Sequence, residues 1–371
     1  MKNYNQNQSQ RSIKKTAIIL FNLGGPDSLQ AVKPFLFNLF NDKAIIGLPN
    51  PFRYLLAKLI SSRRNKKAQG IYAQINGKSP LLEITKMQAE ALERELSFYG
   101  NYKIFIAMRY WHPFVKETIA QINEYKAQEI ILLPLYPQFS SSTTASSIED
   151  FLENLPEKLR QNTKIKTICC YPTNLEFCKS HALLIKQSLN RFYDRNFTKI
   201  RLLFSAHGLP QKLIDAGDPY VLQVEATVAE VVNQLANLLA IEKNKIDFQL
   251  CYQSKVGPLR WTSPSLEHEI KRVAIDDKEP LIIPIAFVSD HSETLVELDI
   301  DYKNLADQLK IKNYQRVPAL NLEGHFIKAL KQMVLSVSEN TQNDYFYEDK
   351  AQRFCPKKMR YCQNPNPCKD L

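Results

Sequence analysis

Short apolar runs recur along the chain, and amphipathic stretches separate one run from the next. Runs of this length that are rich in Ile, Leu, Val and Phe are typical of strands buried on both faces of a sheet. The alternation of such runs with helical patterns predicts parallel sheets built from βαβ units, and therefore an α/β fold. The predicted strands are Thr16–Leu23, Lys103–Met108, Ile130–Leu135, Lys164–Cys169, Ile200–Phe204, Asp247–Tyr252 and Leu281–Val288, and the predicted helices include Leu82–Leu96, Val115–Tyr125, Asn174–Phe192 and Gln223–Leu239.

The spacing of the runs favours two halves that meet near Tyr171-Pro172. A chain of 371 residues is comfortable for two domains of ordinary size. The Rossmann dinucleotide fingerprint and the P-loop are both absent, so we expect no nucleotide cofactor. Gly24-Gly25 is then interpreted as a place where the backbone approaches a ligand or another strand closely.

Two polar stretches follow predicted strands in the second half. Ser205-Ala-His207-Gly-Leu-Pro210 comes after the run Ile200–Phe204, and Ser289-Asp-His-Ser-Glu293 comes after the run Leu281–Val288. In open parallel sheets, ligands bind outside the carboxyl ends of the strands. Two histidines and several carboxylates are therefore expected where such a fold keeps its chemistry.

These stretches, together with further segments in the same order, make the chain similar to the ferrochelatase family. Members of that family insert ferrous iron into a porphyrin at the last step of haem synthesis. The resemblance runs from about Ala17 to the C-terminus and is to the bacterial type. The further segments are Phe21-Asn-Leu-Gly-Gly-Pro26, Gly77-Lys-Ser-Pro80, Met108-Arg-Tyr110, Tyr136-Pro-Gln-Phe139 with Ser142-Thr-Thr-Ala-Ser-Ser147, Gly217-Asp-Pro-Tyr220 and Gln253-Ser-Lys-Val-Gly-Pro258.

The resemblance implies two Rossmann-like domains with parallel sheets in a class II chelatase-like arrangement, with the active-site cleft between them. It also implies a late helix, Phe326–Val337, that packs back on the first domain. The expected divisions are a disordered N-terminus at 1–15, a first domain at 16–171, a second domain at 172–322, the late helix within 323–345 and a cysteine-containing tail at 346–371.

His207 is the candidate base of the expected reaction. Metal insertion removes two pyrrole N–H protons and delivers a divalent cation to the same nitrogens. A neutral imidazole, with an ordinary pKa of about 6.5, can accept a proton or bind the metal. By resemblance, His207 faces the macrocycle in one of these two roles, and Glu293 shares the contact with iron.

Glu293, Glu297 and Asp301 are spaced by four residues. On an α-helix they would span about eighty degrees of arc. Three carboxylates in a row repel one another, whereas coupled carboxylates of raised pKa can pass protons outward or hold and release a cation. The sequence leaves open which cargo moves, and an ordinary acidic helix face remains the alternative. Asp290 and His291 directly precede this line and join the candidate catalytic set.

Arg109, Tyr110 and Trp261 complete the expected cleft. Arg109 is a candidate partner for a substrate propionate or for the carboxylates on the metal side. The rings of Tyr110 and Trp261 are candidates to lie against the macrocycle, although strand-end aromatic residues also occur in ordinary cores. Ser142 and Thr143 offer hydroxyl and backbone N–H groups to substrate carboxylates, unless this segment only caps the helix beginning near Ser147.

Seven cysteines raise the question of a second site. Cys355, Cys362 and Cys368 fall in the polar tail, and an odd count without a secretory signal argues against a disulfide framework. Some ferrochelatases hold a [2Fe–2S] cluster with three C-terminal cysteines and one internal cysteine, so the resemblance implies such a cluster here, with Cys178 or Cys170 as the fourth ligand. A Cys₄ zinc site and free thiols are the alternatives.

The net charge of +11 is concentrated in a segment without acids, from Lys43 to Leu82. Within it, Pro51–Ile60 predicts a helix with an apolar side, which suits an anionic membrane surface, an apolar macrocycle bearing carboxylates, or a solvated face over a core helix. No apolar run is long enough to span a bilayer, and Met1–Lys15 lacks the apolar core of a secretory signal, although its basic composition leaves a transit segment open. We expect a cytoplasmic protein that contacts the inner face of the membrane, no nucleic-acid partner, and leave a homodimer open.

The sequence therefore predicts a ferrochelatase that uses Fe²⁺ as substrate and forms protohaem from protoporphyrin. The alternatives are a chelatase for another metal or tetrapyrrole, such as cobalt or coproporphyrin, and a tetrapyrrole-binding protein without catalytic activity.

Overall fold

The computed structural model describes residues 14–192, 197–339, 345–347 and 355–362. These residues form two parallel sheets with helices packed around them, which confirms the α/β fold predicted from the apolar runs. All seven predicted strands are present. The strands are β1 (Lys15–Asn22), β2 (Asn101–Met108), β3 (Glu129–Pro134), β4 (Lys164–Cys170), β5 (Ile200–His207), β6 (Phe248–Gln253), β7 (Glu279–Pro284), β8 (Gln315–Arg316) and β9 (Tyr345–Tyr347).

The first sheet has the strand order β2-β1-β3-β4-β9 and the second has the order β6-β5-β7-β8. Every pairing within them is parallel. Seven of the eight residues of β1 are buried, so both of its faces are covered. This double burial explains why its sequence is continuously apolar instead of alternating. β5 lies inside the second sheet between β6 and β7, and its carboxyl end delivers His207 to the sheet edge.

Helices and two short π-helices make the connections. The α-helices are α1 (Val32–Phe40), α2 (Phe52–Ala73), α3 (Leu81–Leu96), α4 (Val115–Tyr125), α5 (Ser146–Asn154), α6 (Glu157–Asn162), α7 (Leu175–Leu189), α8 (Gln211–Asp215), α9 (Tyr220–Leu239), α10 (Leu266–Ile275), α11 (Tyr302–Gln308) and α12 (Gly324–Glu339). We call the π-helix Ser141–Ala145 the serine π-helix and the π-helix Glu293–Asp301 the acidic π-helix. None of the described helices is long and apolar enough to cross a bilayer.

A buried lysine fixes the last helix to the first sheet. The Nζ atom of Lys166 in β4 donates to the carbonyl oxygens of Val337 and Ser338 at 2.6 and 3.0 Å, and lies 3.0 Å from the Oε2 atom of Glu129. The two carbonyls belong to the last turn of α12, where unpaired carbonyl groups favour a cation. α12 also packs on α3 and α7, so it joins both halves of the chain.

Gly24 and Gly25 lie where other segments approach the backbone. Gly24 has a φ of +83°, and a Cβ atom there would be 3.0 Å from the backbone nitrogen of Trp111. At Gly25 a Cβ atom would be 2.5 Å from the side chain of Ser79. The expected close approach is therefore present, and it is made to loop and side-chain atoms of the same chain.

Candidate active site

His207 and Glu293 form a hydrogen-bonded pair at the carboxyl end of the second sheet. His207 is the last residue of β5 and Glu293 is the first residue of the acidic π-helix. The Nδ1 atom of His207 lies 2.8 Å from the Oε2 atom of Glu293. The two side chains are 37% and 26% exposed, so the pair is reachable from solvent while most of its surface is covered. The structure thus joins the two residues that the sequence placed on separate strand ends.

His207 and Glu293 shift each other's pKa. Partial burial lowers the pKa of His207, but the charge of Glu293 and its hydrogen bond more than offset this, so the net pKa is raised. Burial also raises the pKa of Glu293, yet the charge and hydrogen bond of His207 outweigh it and bring the value down to about 2. The imidazole is therefore a stronger base than an isolated histidine, and Glu293 is the counter-ion that makes it so.

Glu297 extends the cluster through a serine that the sequence analysis did not single out. Ser254 donates through its hydroxyl to the Oε2 atom of Glu297 at 2.5 Å and to the Oε2 atom of Glu293 at 3.3 Å. The backbone N–H of Ser254 and the amide of Gln253 also donate to Glu297, at 2.8 and 3.1 Å. Burial and the charge of Glu293 raise the pKa of Glu297. Two neighbouring carboxylates therefore have pKa values pushed in opposite directions, a pattern typical of acid–base sites.

The carboxylate line lies on a π-helix, where the sequence analysis assumed an α-helix. Hydrogen bonds in a π-helix connect residues five apart, so a turn contains more residues than the 3.6 of an α-helix. Glu293, Glu297 and Asp301 therefore fall closer to a single line than the predicted arc. Asp301 is exposed and Glu293 is partly buried, so the line runs from the interior to the surface.

Asp290 belongs to a different group of charges from His207. Its carboxylate accepts from the Nη1 atom of Arg316 at 2.9 Å and from the amide of Asn321 at 2.7 Å. Arg316 also binds Asp299 through two nitrogens at 2.6 and 2.7 Å. Charge from Arg316 overcomes burial and lowers the pKa of Asp290. Arg316 therefore connects this candidate catalytic residue to Asp299 of the acidic π-helix.

His291 is 8% exposed and lies beside Glu293 in the chain. Its Nδ1 atom is 3.1 Å from the carbonyl oxygen of Ser289, which fixes the proton on that nitrogen. The ring also packs against Phe287, with centroids 4.8 Å apart. Its charge interaction with Glu293 helps to lower the pKa of that carboxyl group. His291 is thus positioned to act on the site through Glu293.

Trp261 and Tyr220 flank His207. The backbone of Trp261 forms a bridge with Pro210, and a Cβ atom on Gly208 would lie 3.3 Å from its ring. Trp261 is half-buried and therefore keeps ring surface for a ligand. Tyr220 is buried, and burial, with a contribution from the charge of Glu293, raises its pKa. The sequence analysis quoted the Gly-Asp-Pro-Tyr segment but gave Tyr220 no role.

Arg109 and Tyr110 differ from their expected roles. The Nη2 atom of Arg109 lies 2.9 Å from the Oδ2 atom of Asp42, and its Nε atom donates to Ser146 at 2.8 Å. Its Nη1 atom lies 3.4 Å from Asp150. Tyr110 is only 1% exposed, and its hydroxyl donates to Asp42 at 2.8 Å. The expected propionate partner is thus occupied by internal carboxylates, and the expected stacking ring is a core side chain.

The serine π-helix follows β3 in the first sheet. Ser142 is buried, and its hydroxyl lies 2.9 Å from that of Ser140, whereas Thr143 is half-exposed. The carboxylate of Asp218, from the second half, accepts from Ser140 at 3.1 Å and from the backbone and hydroxyl of Ser141, each at 2.7 Å. The two halves of the chain are therefore tied together at this loop.

Four cysteine thiols lie together behind this loop. The amide of Gln223 donates to the Sγ atoms of Cys170 and Cys355 at 3.4 and 3.1 Å. The neighbouring thiols of Cys170 and Cys362, together with burial, raise the pKa of Cys169, and the thiol of Cys362, together with burial, raises the pKa of Cys355.

The expected ligands of a cluster are only partly brought together. Cys178 donates to the carbonyl oxygen of Pro172 at 3.6 Å, and Cys368 lies outside the described residues. Across 14–192, 197–339 and 355–362, no set of three or more His, Cys, Asp or Glu side chains has an arrangement that could hold a metal ion. The thiol side chains nevertheless match the ligand type of an iron–sulfur or zinc site.

The chain is similar to known proteins over most of its length. The sequence model of a family described as Ferrochelatase matches residues 15–337. A relative named Ferrochelatase from Rickettsia bellii is 52% identical over 352 residues, which cover 94% of this chain and 95% of the relative. Another of that name, from Pelagibacter ubique, is 46% identical and covers 95% of this chain and 98% of the relative. Among solved structures, the sirohydrochlorin chelatase SirB from Bacillus subtilis, in complex with cobalt, is 13% identical with a TM-score of 0.49, covering 88% of this chain and 97% of that one.

Proposed function

The chain belongs to the ferrochelatase family, and on that premise we propose how its own residues insert ferrous iron into a porphyrin. The activity is that of a haem-synthesis enzyme, and the proposed substrate is protoporphyrin. The proposed site is the end of β5, where His207 and Glu293 meet. The observation that carries the assignment is the 2.8 Å contact between the Nδ1 atom of His207 and Glu293, because it gives the candidate base its counter-ion.

His207 accepts the pyrrole protons in this proposal. The imidazole must be neutral to accept a proton, and the imidazolium that forms is stabilised by the adjacent Glu293 carboxylate. Fe²⁺ is the substrate that replaces the two protons on the porphyrin nitrogens. The half-buried ring of Trp261 would pack against the macrocycle, and the half-exposed Thr143 would donate to a substrate carboxylate.

Glu297 and Asp301 carry the protons onward. Both oxygens of Glu297 already accept hydrogen bonds from Ser254 and Gln253, which leaves them poorly prepared to bind a cation. The hydroxyl of Ser254 contacts Glu293 and Glu297 together, and a hydroxyl that accepts from one group and donates to another can pass a proton. We therefore favour protons over metal as the cargo of the acidic π-helix.

The test is an anaerobic assay that follows the Soret band after protoporphyrin and Fe²⁺ are added to the pure protein. We expect conversion to the haem spectrum, and we expect the His207→Ala variant to bind porphyrin without converting it. Conversion by a folded His207→Ala variant would contradict the assignment of the base. Conversion of coproporphyrin alone, or insertion of cobalt alone, would contradict the substrate and support the alternatives.

The cysteine group is proposed to hold a [2Fe–2S] cluster, with Cys170 in preference to Cys178. Gln223 joins Cys170 to Cys355, and Cys362 lies on the same group of thiols, whereas Cys178 contacts Pro172. When bound, such a cluster would supply thiolate-ligated iron next to this loop. Protein purified without oxygen should show visible absorbance and bound iron, both lost in Cys170→Ser and kept in Cys178→Ser. Stoichiometric zinc without visible absorbance would contradict the cluster.

α2 and the segment before it are proposed to contact a membrane surface. Phe52, Leu55 and Tyr54 are 64%, 59% and 47% exposed, and the same helix carries several cations and no acid. Exposed apolar side chains beside cations favour an anionic bilayer interface. The protein should co-sediment with vesicles containing phosphatidylserine, and Phe52→Ser with Leu55→Ser should weaken this binding. Equal binding by the double variant would contradict the proposal.

A further inference from the structure

Gln223 lies between the cysteine group and the loop that begins the serine π-helix. Its side chain is fully buried. The Oε1 atom accepts from the backbone N–H of Phe139 at 2.7 Å, while the Nε2 atom donates to Cys170 and Cys355 at 3.4 and 3.1 Å. A carboxamide is planar, so its two ends cannot turn independently. A change at the thiols must therefore reach Phe139.

The loop touched by Gln223 belongs to the first half of the chain and is held by the second. Gln138 donates to the hydroxyl of Thr227 at 3.0 Å, and Asp218 accepts from Ser140 and Ser141. Thr227 and Asp218 flank Gln223 in and before α9. These hydrogen bonds, together with that of Gln223, fix the loop to the second half of the chain.

The cysteine tail also contacts Gly217, the residue before Asp218. A Cβ atom on Gly217 would lie 2.8 Å from the backbone nitrogen of Arg360, and the N–H of Tyr361 donates to the carbonyl of Gly217 at 3.3 Å. Gly217 precedes Asp218, whose side chain holds the loop. The tail therefore reaches the loop by two routes, through Gln223 and through Gly217.

We propose that Gln223 is a positioning residue that makes porphyrin affinity depend on the cysteine group, by fixing the loop at Phe139 with one end of its amide and the thiols with the other. The inference rests on the proposed function in one respect, because it takes the adjacent serine π-helix to contact the porphyrin carboxylates.

A double-mutant cycle between Gln223 and Cys355 tests the coupling, with metal-free protoporphyrin as the probe and quenching of its fluorescence as the readout. Gln223→Met should weaken binding by about fivefold, and Cys355→Ala by a similar factor, while the double variant should bind no more weakly than the weaker single variant. The KM for porphyrin should rise with the dissociation constant, and kcat should stay within about twofold. Factors that multiply in the double variant would overturn the proposal, as would an unchanged affinity in Cys355→Ala.

Two further variants separate coupling from loss of structure. Gln223→Glu keeps an acceptor for Phe139 and loses the donor to the thiols, so its affinity should respond to Cys355→Ala by less than about twofold. Cys251→Ala removes another buried thiol, one that contacts the carbonyl of Phe204, and should leave porphyrin affinity unchanged. A Gln223→Glu variant that still responds fully to Cys355→Ala would overturn the proposal. Failure of the unaltered protein to bind porphyrin would instead contradict the proposed function.

Discussion

Each half of the chain places a charged cluster beyond the carboxyl ends of its strands, and the two clusters differ in their balance of charge. In the first half, the guanidinium of Arg109 lies between Asp42 and Asp150 and also binds Ser146. Asp42 receives further hydrogen bonds from Tyr110 and Ser146. In the second half, Glu293 contacts the single imidazole of His207, and the hydroxyl of Ser254 bridges Glu293 to a second carboxylate, Glu297.

The difference separates a cluster that holds elements together from one that we propose moves protons. In the first cluster Arg109 pairs with Asp42 and Asp150, so the end of β2 is joined to the segment after α1 and to α5. The His207 cluster has one more acid than base, and the pKa of Glu293 is lowered while that of Glu297 is raised. Unequal pKa values in adjacent acids are typical of acid–base sites.

The largest effect is expected from removing the base of the second cluster. His207→Ala should lower kcat by about 100-fold or more, the usual contribution of a general base, because no other group takes the pyrrole protons. The dissociation constant for metal-free protoporphyrin should stay within about twofold, since affinity comes from other contacts. The exposed His268 provides the matched control, His268→Ala, which should keep full turnover.

Breaking the first cluster should lower the free energy of unfolding and leave kcat nearly unchanged. Arg109→Met leaves the buried Asp42 without its cation, and removing one partner of a buried pair typically costs about 3 kcal/mol. The free energy of unfolding in urea should fall by about that amount, while kcat of the folded variant stays within about threefold. A loss of kcat as large as that of His207→Ala, in a stable Arg109→Met protein, would show that the first cluster takes part in catalysis.

Replacing the counter-ion should shift the pH dependence of the second cluster. Glu293→Gln removes the charge that raises the pKa of His207, so the imidazole becomes a weaker base and kcat should fall about tenfold. Turnover needs neutral His207 and is lost as pH falls through its pKa. The acid limb of kcat/KM should therefore move to lower pH in the variant. A limb that stays in place would assign the titration to another group.

The smallest effect is expected at the bridging hydroxyl. Ser254→Ala removes the contact between Glu293 and Glu297 and keeps the backbone N–H that also binds Glu297. We expect kcat to fall about threefold, with a larger solvent isotope effect because proton transfer becomes more rate-limiting. An unchanged rate and isotope effect would remove Ser254 from the proton path.

The sequence predicted the strands and the main residues of the second cluster because both leave local signals. Most predicted strands are runs dominated by apolar residues, and His207 and Glu293 follow two such runs within a few residues. β8 and β9 were missed because they are only two and three residues long, too short for periodicity to mark them.

The remaining differences come from contacts between distant segments. Arg109 looked available for substrate because Asp42 and Asp150, which bind it, lie far away in the sequence, after α1 and on α5. Four-residue spacing does not distinguish a π-helix from an α-helix, so the arc spanned by Glu293, Glu297 and Asp301 was predicted with too few residues per turn. Ser254 and Gln223 belong to segments whose polar residues have no spacing signal of their own, and only the packing of the two halves shows what they bind.

The most direct test of the account is a pH titration of His207 by NMR on protein labelled with ¹⁵N-histidine, compared with the acid limb of kcat/KM for iron insertion. The account predicts that the signal lost in His207→Ala titrates above the ordinary histidine value, that the kinetic limb coincides with it, and that both move down in Glu293→Gln. Two results would contradict His207 as the proton acceptor. One is a His207 pKa at or below the ordinary histidine value, and the other is an acid limb of kcat/KM whose pKa differs from that of His207.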